Sequence, residues 1–425
     1  MTRVVVAAPP VHGETAPVLQ MGAELVTRGH DVTALVGTAF ADAARHTGAH
    51  VVTLTGAADF DVRELAARPD RVALKPGPVQ MNWDFIHGFA AGIVEQHEAI
   101  QRMLDDDPDL VVLSNLLFMG CWPVALGASG HRPRRWVAVA ANPLLIGDSA
   151  TTVMGPVPGL AGDELARANS TANEQFEAMF TPTRDAVQRA VGQLGATDQV
   201  PGLPGAFYSL PDAVAALTVH EFDFPRVAPP DSLHYAGILP PRTPTGAITP
   251  SWWADLDTDT PVVVVTQGTV ANEDLNELVV PTLASLAEEE VVVVAALGRD
   301  PASLGIDPPA NARVADYLPF DELLPRASVL VTNGGFGATQ HALACGVPVV
   351  VAGATEDKAM VAAHVAHHAV GIDLGTQTPT REQLATAVRD VLRDGSYHRA
   401  AQRLRVAYSD ADAAATVESL VLPQP

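Results

Sequence analysis

Residues 328–358 read SVLVTNGGFGATQHALACGVPVVVAGATEDK. Ser328 to Thr332 is a short apolar run rich in β-branched residues, the composition of a buried strand. Asn333-Gly334-Gly335-Phe336-Gly337 breaks it, with glycine at three of four successive positions. Ala338 to Ala344 reads as a helix, stopped by Gly346 and Pro348. Val347 to Ala352 is a second buried strand, and Thr355-Glu356-Asp357-Lys358 opens the next helix. A glycine turn between strand and helix leaves backbone N–H groups unpaired at the positive end of the helix dipole, which suits a phosphate. The same glycines serve an ordinary tight turn, where they supply positive φ. The glycines alone leave both readings open.

Away from this stretch the same pattern recurs. Arg3 to Ala8 is a continuous apolar strand, followed by a loop from Pro9 to Pro17 and a helix from Val18 to Thr27. Asp31 to Val36 is the next strand, and Val51 to Leu54 continues the series. Strands that do not alternate apolar with polar residues argue for a parallel sheet covered by helices. Asn82 to Leu104 has the apolar spacing of one long helix. Strands follow at Asp109 to Leu113 and Trp136 to Ala140, with a last one at Ala213 to Val219. From Asn142 to Pro158 the chain is rich in Pro, Gly and Ser, and Leu144, Leu145 and Met154 read as exposed there. A polar helix is expected from about Asp163 to Leu194.

Periodicity disappears from Phe222 to Thr249, where FPRVAPP and LPPRTPTGAITP accumulate prolines. The pattern restarts at Val262 to Val265, and strands are expected again at Val291 to Ala296 and Gly371 to Leu374. The expected division is an N-terminal domain at 1–222, a linker at 223–249 and a C-terminal domain at 250–405. Residues 406–425 are expected to form a C-terminal helix that returns to the first domain. At 425 residues the chain is long enough for two domains.

Composition narrows the function classes. The chain has 26 basic and 49 acidic residues, for a net charge of −23. Such a surface repels nucleic acid and anionic membranes. No apolar run approaches the ~20 residues of a membrane span, so membrane insertion is not expected. The two cysteines, Cys121 and Cys345, build no disulfide framework and fit a reducing cytoplasm. Both sit in apolar runs and are expected to be buried. His364, His367 and His368 form an HxxHH group on a helix, and the residues four apart have metal-ligand spacing. No third ligand stands at a matching spacing, so these histidines are read as a helix face and no metal site is expected.

The order strand, Asn333-Gly334-Gly335, helix, Gly346-Val347-Pro348, then Glu356-Asp357-Lys358 resembles the donor-site signature of the UDP-glycosyltransferase superfamily. The Asn-Gly-Gly form with a TEDK ending is similar to a bacterial branch that glycosylates small molecules. The resemblance is strong here and extends weakly over nearly the whole chain. It implies the α/β GT-B fold, in which two Rossmann-like parallel-sheet domains face each other across a cleft. It further implies an inverting transfer of sugar from a UDP or dTDP sugar to a hydroxyl of a small hydrophobic acceptor, with no metal and no cofactor.

Such a reaction needs a base for the acceptor hydroxyl, donors for the leaving diphosphate and polar groups for the sugar. The family places a His three residues before a Pro in the loop after the first strand. Here that position is Glu14, before Pro17, with His12 two residues earlier. The family's orienting Asp aligns with Ser114. The two departures make joint sense, because a Glu base gains nothing from a second carboxylate and is repelled by it. Glu14 is the favoured base and His12 its competitor. Ser114 is expected to hydrogen-bond Glu14 without adding charge. A capping role at a helix N-terminus would place the same residues there.

For the diphosphate the resemblance assigns Asn333, Gly334, Gly335, Gly337 and Thr339, with Gly268 and Thr269 from the loop Thr266-Gln267-Gly268-Thr269. Asp357 matches the acidic residue that accepts from sugar hydroxyls, and Lys358 replaces the usual Gln. A helix N-cap is the plainer role for Asp357. Tyr317 and Leu318 align with the base-stacking segment, where a core aromatic is the alternative for Tyr317. His341 stands at the ribose-binding Glu. Trp83, Phe85, Phe89, Phe118 and Leu144 are expected to line the acceptor site.

Two rival readings fit the same residues. Gly335-Phe336-Gly337, with Asp357 twenty residues further on, has dinucleotide-binding spacing, but Gln340 occupies the place of the third glycine. The departures at Glu14, Ser114, Asn333 and His341 also fit a catalytically silent relative that only binds.

Overall fold

The structure is a computed structural model, and it describes residues 1–241, 250–257, 259–268, 274–298, 307–354 and 357–422. The chain forms two compact units. The first comprises Met1–Leu217, Pro225–Leu239 and Asp412–Pro425, and the second comprises Thr218–Phe224 and Pro240–Ala411.

The first unit holds strands β1 (Arg3–Ala7), β2 (Asp31–Val36), β3 (His50–Thr53), β4 (Val111–Asn115), β5 (Arg135–Ala140), β6 (Ala213–Ala216) and β7 (Leu233–Tyr235). They form one sheet in the order β3-β2-β1-β4-β5-β6-β7, every neighbouring pair parallel. Successive side chains of a strand point to opposite faces. Val5, Ala7, Val112, Trp136 and Ala138 therefore enter one core, and Val4, Val6, Val111, Leu113, Val137 and Val139 enter the other. Both faces are covered, which is why these strands read as continuous apolar runs.

Three expectations change in detail. The run expected as one helix from Asn82 to Leu104 starts earlier, at Pro78, and contains a π turn at Phe85–Phe89 before its regular segment Ile93–Asp106. The polar helix expected from Asp163 to Leu194 is two helices, Gly162–Met179 and Thr181–Gln193. Pro182 stands in the first turn of the second, where its missing N–H costs no intrahelical bond. The proline-rich stretch read as linker carries β7, which pairs with β6 at the sheet edge, a place that tolerates prolines nearby. Of that stretch, residues 242–249 lie outside the described residues.

Helix Ala413–Val421 buries Ala413, Val417, Leu420 and Val421 in the same core as the first helix, His12–Thr27. Arg28 and His30 fasten its Glu418 at 2.8 and 2.9 Å.

The second unit holds β8 (Val262–Thr266), β9 (Val292–Ala296), β10 (Ala312–Ala315), β11 (Val329–Thr332), β12 (Val349–Val351) and β13 (Gly371–Asp373), ordered β10-β9-β8-β11-β12-β13 and again parallel throughout. The strand order reverses between β8 and β11, so their C-terminal ends mark the switch point at which open α/β sheets bind ligands. Thr266 and Thr332 are register partners at those ends.

The HxxHH histidines do not gather around a vacant centre. His364 hydrogen-bonds the Met360 carbonyl at 2.7 Å and lies 3.8 Å from Asp223, while its ring packs 3.8 Å from that of Phe224. His368 packs against Phe222 at 5.5 Å, and burial pushes its pKa down to about 4. Together they seat the segment Thr218–Phe224 on the second unit. Among the described residues no three His, Cys, Asp or Glu side chains could hold a metal ion. No helix among them is long and apolar enough to cross a membrane.

Candidate active site

In the first unit, Glu14 lies in the first turn of helix His12–Thr27 and is buried. A buried carboxylate needs donors, and among the described residues Glu14 has two. Asn115 Nδ2 donates to Oε2 at 2.7 Å, and Asn142 Nδ2 donates to Oε1 at 2.6 Å. Asn115 is the last residue of β4, and Asn142 follows β5. Leu117 N–H donates to Asn115 Oδ1 at 2.8 Å, so the Asn115 amide can only turn its NH2 toward Glu14. Burial raises the pKa of Glu14, and the two amides, which favour the charged form, oppose that rise. Thr15 Oγ1 donates to the Pro9 carbonyl at 2.7 Å and fixes the entry into the helix.

His12 lies exposed on the same turn, its ring 6.4 Å from Phe40. Ser114 does not reach Glu14, contrary to expectation. It is fully buried, and its Oγ accepts the Trp136 indole N–H at 3.0 Å. The residue that takes the expected place is its neighbour Asn115.

The expected acceptor-lining residues divide. Trp83, Phe85 and Phe89 are partly exposed on and before the π turn. Phe85 and Phe89 pack with Phe60 and Phe180 at ring separations of 5.2 to 6.1 Å, and Trp83 covers His87 at 4.3 Å. Phe118 and Leu144 are instead core residues, 0% and 3% exposed. Leu144 reads as exposed because its loop is rich in Gly and Ser, but that loop is tied down along its length. Asp148 accepts from Ala150, Val227 and Ala228 N–H groups at 2.7 to 2.9 Å. Asn169 and Asn173, one turn apart on helix Gly162–Met179, donate to the carbonyls of Ser149, Asp148 and Thr151. Met154, at 48% exposure, does stand out from this loop as expected.

In the second unit, the turn after β11 meets the loop after β8. Asn333 Nδ2 donates to the Gln267 carbonyl at 2.6 Å. One of the two N–H groups expected to face a diphosphate is thus engaged in holding the loops together. Gln267 accepts from Leu278 and Val279 N–H and donates to the Asp274 carbonyl, so it clamps the β8 loop onto the following helix. Gly334 has φ +88, and its missing Cβ would sit 3.0 Å from Val351 and 3.3 Å from Lys358. Gly335 caps helix Phe336–Ala344, and a Cβ there would meet nothing nearer than Asn333 Oδ1 at 3.9 Å. Gly337 is exposed on the first turn. Thr339 is fully buried, and its Oγ1 has no hydrogen-bond partner among the described residues. Gly353 is required by the same fold, since a Cβ there would lie 2.0 Å from the Asn333 carbonyl oxygen.

Gly268, two residues after β8, has φ +76, and Thr269 lies outside the described residues. Asp357 stands at the N-cap position of helix Lys358–His367, but its side chain makes no capping hydrogen bond. Lys358 is buried beside Asn333, Gln267 and Glu277. Tyr317 is 45% exposed, which removes the core reading, whereas Leu318 beside it is fully buried. His341 is half-buried, and burial pushes its pKa down to about 4, so it is neutral near pH 7. Gln340, at the third-glycine position, is buried and accepts from Tyr408 Oη at 3.0 Å. A side chain locked there leaves no glycine approach for a dinucleotide.

Asn115 and Asn142 were not legible as site residues. The only trace in the sequence is that each ends or follows a predicted strand on the side where parallel sheets carry their sites.

Residues 279–420 match the family model described as the erythromycin biosynthesis protein CIII-like C-terminal domain. The chain is 35% identical to UDP-glucosyltransferase B1 of Starmerella bombicola over 95% of this chain and 94% of that protein. It is 34% identical to 4'-demethylrebeccamycin synthase of Lentzea aerocolonigenes over 99% and 98%. Among solved structures, the calicheamicin glycosyltransferase CalG4 superposes with a TM-score of 0.71 at 20% identity, covering 99% of this chain and 98% of that one. The spinosyn rhamnosyltransferase SpnG, complexed with thymidine diphosphate, gives 0.70 at 18%, covering 99% and 100%. These structures share the GT-B fold with this chain. Full-length identity at this level, on two parallel-sheet units of that fold, excludes the dinucleotide reading and shows a glycosyltransferase: the chain belongs to the UDP-glycosyltransferase superfamily.

Proposed function

We propose that this enzyme transfers a sugar, with inversion and without a metal ion, from a UDP sugar to a hydroxyl of a small hydrophobic molecule. The observation that carries the reading is Glu14, a buried carboxylate with two neutral donors and no ion-pair partner among the described residues. Burial raises its proton affinity, as a general base requires, and each carboxylate oxygen keeps a lone pair for the acceptor proton. The acceptor oxygen attacks the anomeric carbon as its proton passes to Glu14, and the nucleoside diphosphate departs. One displacement inverts the anomeric configuration.

The diphosphate is assigned to the turn Asn333–Gly335, the head of helix Phe336–Ala344 and the buried Thr339 hydroxyl, which has no partner among the described residues. Asp357 accepts from sugar hydroxyls, Lys358 and Gly268 border the same end of the sheet, Tyr317 stacks on the base, and neutral His341 hydrogen-bonds the ribose. UDP is favoured because relatives at 30–35% identity are named UDP-glucosyltransferases. The partly exposed Trp83, Phe85 and Phe89 favour an apolar acceptor, and 4'-demethylrebeccamycin synthase is named for a natural product.

The test is transfer from UDP-glucose to a panel of phenolic and alkyl acceptors in excess EDTA, with the product anomer read by NMR. A β-glucoside from the α-linked donor is expected. An α-glucoside, or activity abolished by EDTA and restored by a divalent ion, would overturn the reading.

A further inference from the structure

We infer that Asn115 and Asn142 are positioning residues that together hold the Glu14 carboxylate ionised and fixed in direction. The inference rests on the reading of Glu14 as the base. Three observations carry it. The two asparagines take one oxygen each, at 2.7 and 2.6 Å, so rotation about the terminal torsion of Glu14 breaks both bonds at once. Asn115 is itself locked, fully buried with its carbonyl accepting from Leu117 N–H. Asn142 reaches Glu14 from a different element, the segment after β5, and is half-buried. Three elements therefore converge on one carboxylate.

The chemistry is distinct from a base paired with a second carboxylate. Neutral amides stabilise the carboxylate by hydrogen bonding and add no charge that would repel it. Among the described residues the influences on Glu14 ionisation are its own burial and these two amides, and no charged side chain is among them. On its own helix the nearest ionisable group in sequence is the exposed His12, which faces Phe40. Ser114 on β4 is turned to Trp136, and Thr15 is turned to Pro9.

Removing one donor leaves burial less opposed, so the carboxylate must bind its proton more tightly. The acidic limb of the turnover profile should then move to higher pH. Asn142→Ala is expected to raise it by about one pH unit and to lower plateau turnover on the order of tenfold through lost orientation. Asn142→Asp places a like charge on Glu14 and should move the limb further. A merely structural role would lower activity without this ordered displacement.

The experiment measures turnover against pH at saturating UDP-glucose and acceptor for the wild type, Asn142→Ala, Asn142→Ser and Asn142→Asp. In parallel, the Glu14 carboxyl is titrated by difference infrared spectroscopy in the wild type and Asn142→Ala, with Glu14→Gln as the blank. Asn142→Ser serves if the alanine variant fails to fold. A rise in both the infrared midpoint and the kinetic limb is expected. An infrared midpoint that does not move overturns the inference. A midpoint that rises while the kinetic limb stays supports the asparagine pair and instead overturns Glu14 as base.

Discussion

Trp136 donates its indole N–H to Ser114 Oγ at 3.0 Å, in the interior of the first unit. Trp136 is 2% exposed and Ser114 fully buried, so each is the other's means of satisfying a polar group away from water. Ser114 is thereby occupied with the core. Ser114→Ala leaves the indole N–H unpaired and should cost about 1–3 kcal/mol of stability. Turnover of the folded enzyme should be unchanged. Urea unfolding and a transfer assay read the two quantities separately, and a tenfold loss of turnover in protein that remains folded would return Ser114 to the site.

Thr339 offers the opposite combination. Its hydroxyl is buried with no partner among the described residues, a state that costs stability rather than adding to it. Thr339→Val keeps the shape and removes the hydroxyl. The variant should be as stable as the wild type or more so, by up to about 1 kcal/mol. Affinity for UDP should fall about two- to tenfold, the worth of one hydrogen bond. Calorimetric binding of UDP together with thermal unfolding checks both, and unchanged UDP affinity would remove Thr339 from the diphosphate site.

Gly334 and Gly335 should respond differently to alanine although they are neighbours. Gly334 has positive φ, and a Cβ would crowd Val351 and Lys358, so Gly334→Ala should cost about 1–3 kcal/mol. Gly335 has φ −60 and room for a Cβ, so Gly335→Ala should fold normally. Any loss of UDP affinity in Gly335→Ala then reports close approach of the phosphate to the turn. Gly335→Val enlarges that obstruction and should abolish binding. Equal melting temperatures for Gly334→Ala and wild type would contradict the strain argument.

Glu418 ties the C-terminal helix to the first unit through His30 and Arg28, and the bond to His30 is the main cause that holds its pKa below the usual carboxylate value. A depressed carboxylate contributes stability above its unfolded pKa and loses it as pH falls through the folded one. The gap in melting temperature between wild type and Glu418→Gln should therefore be full from neutral pH down to about 5. It should close below the unfolded value of about 4.3. A melting-temperature series across that range checks the sign, and a gap that widened with acid would refute it.

Much of the second unit's fold was open to reading because it is local. A β-branched run, a glycine turn, a helix and a second run each follow from residues close in sequence. β11, helix Phe336–Ala344 and β12 stand where residues 328–352 predict them. The proline-rich stretch was less legible. Its prolines exclude a central strand, but they could not reveal that Leu233–Tyr235 pairs at a sheet edge.

The polar contacts around Glu14 depended on register. Ser114 and Asn115 are adjacent, and adjacent residues of a strand face opposite sides of the sheet. Ser114 shares its face with Val112 and the core that holds Trp136. Asn115 shares its face with Val111 and Leu113, the side covered by helix His12–Thr27, which carries Glu14. The sequence by itself determined the unalternating strands, the parallel α/β class, the glycine turn and the presence of a carboxylate, Glu14, in the segment after the first strand. Tertiary structure alone decided which of two neighbouring polar residues meets that carboxylate, and that Asn142, 128 positions away, would join it. The reason is that a strand buried on both faces carries no alternation to reveal its sides, so only the packing of helix and sheet assigns each residue to one.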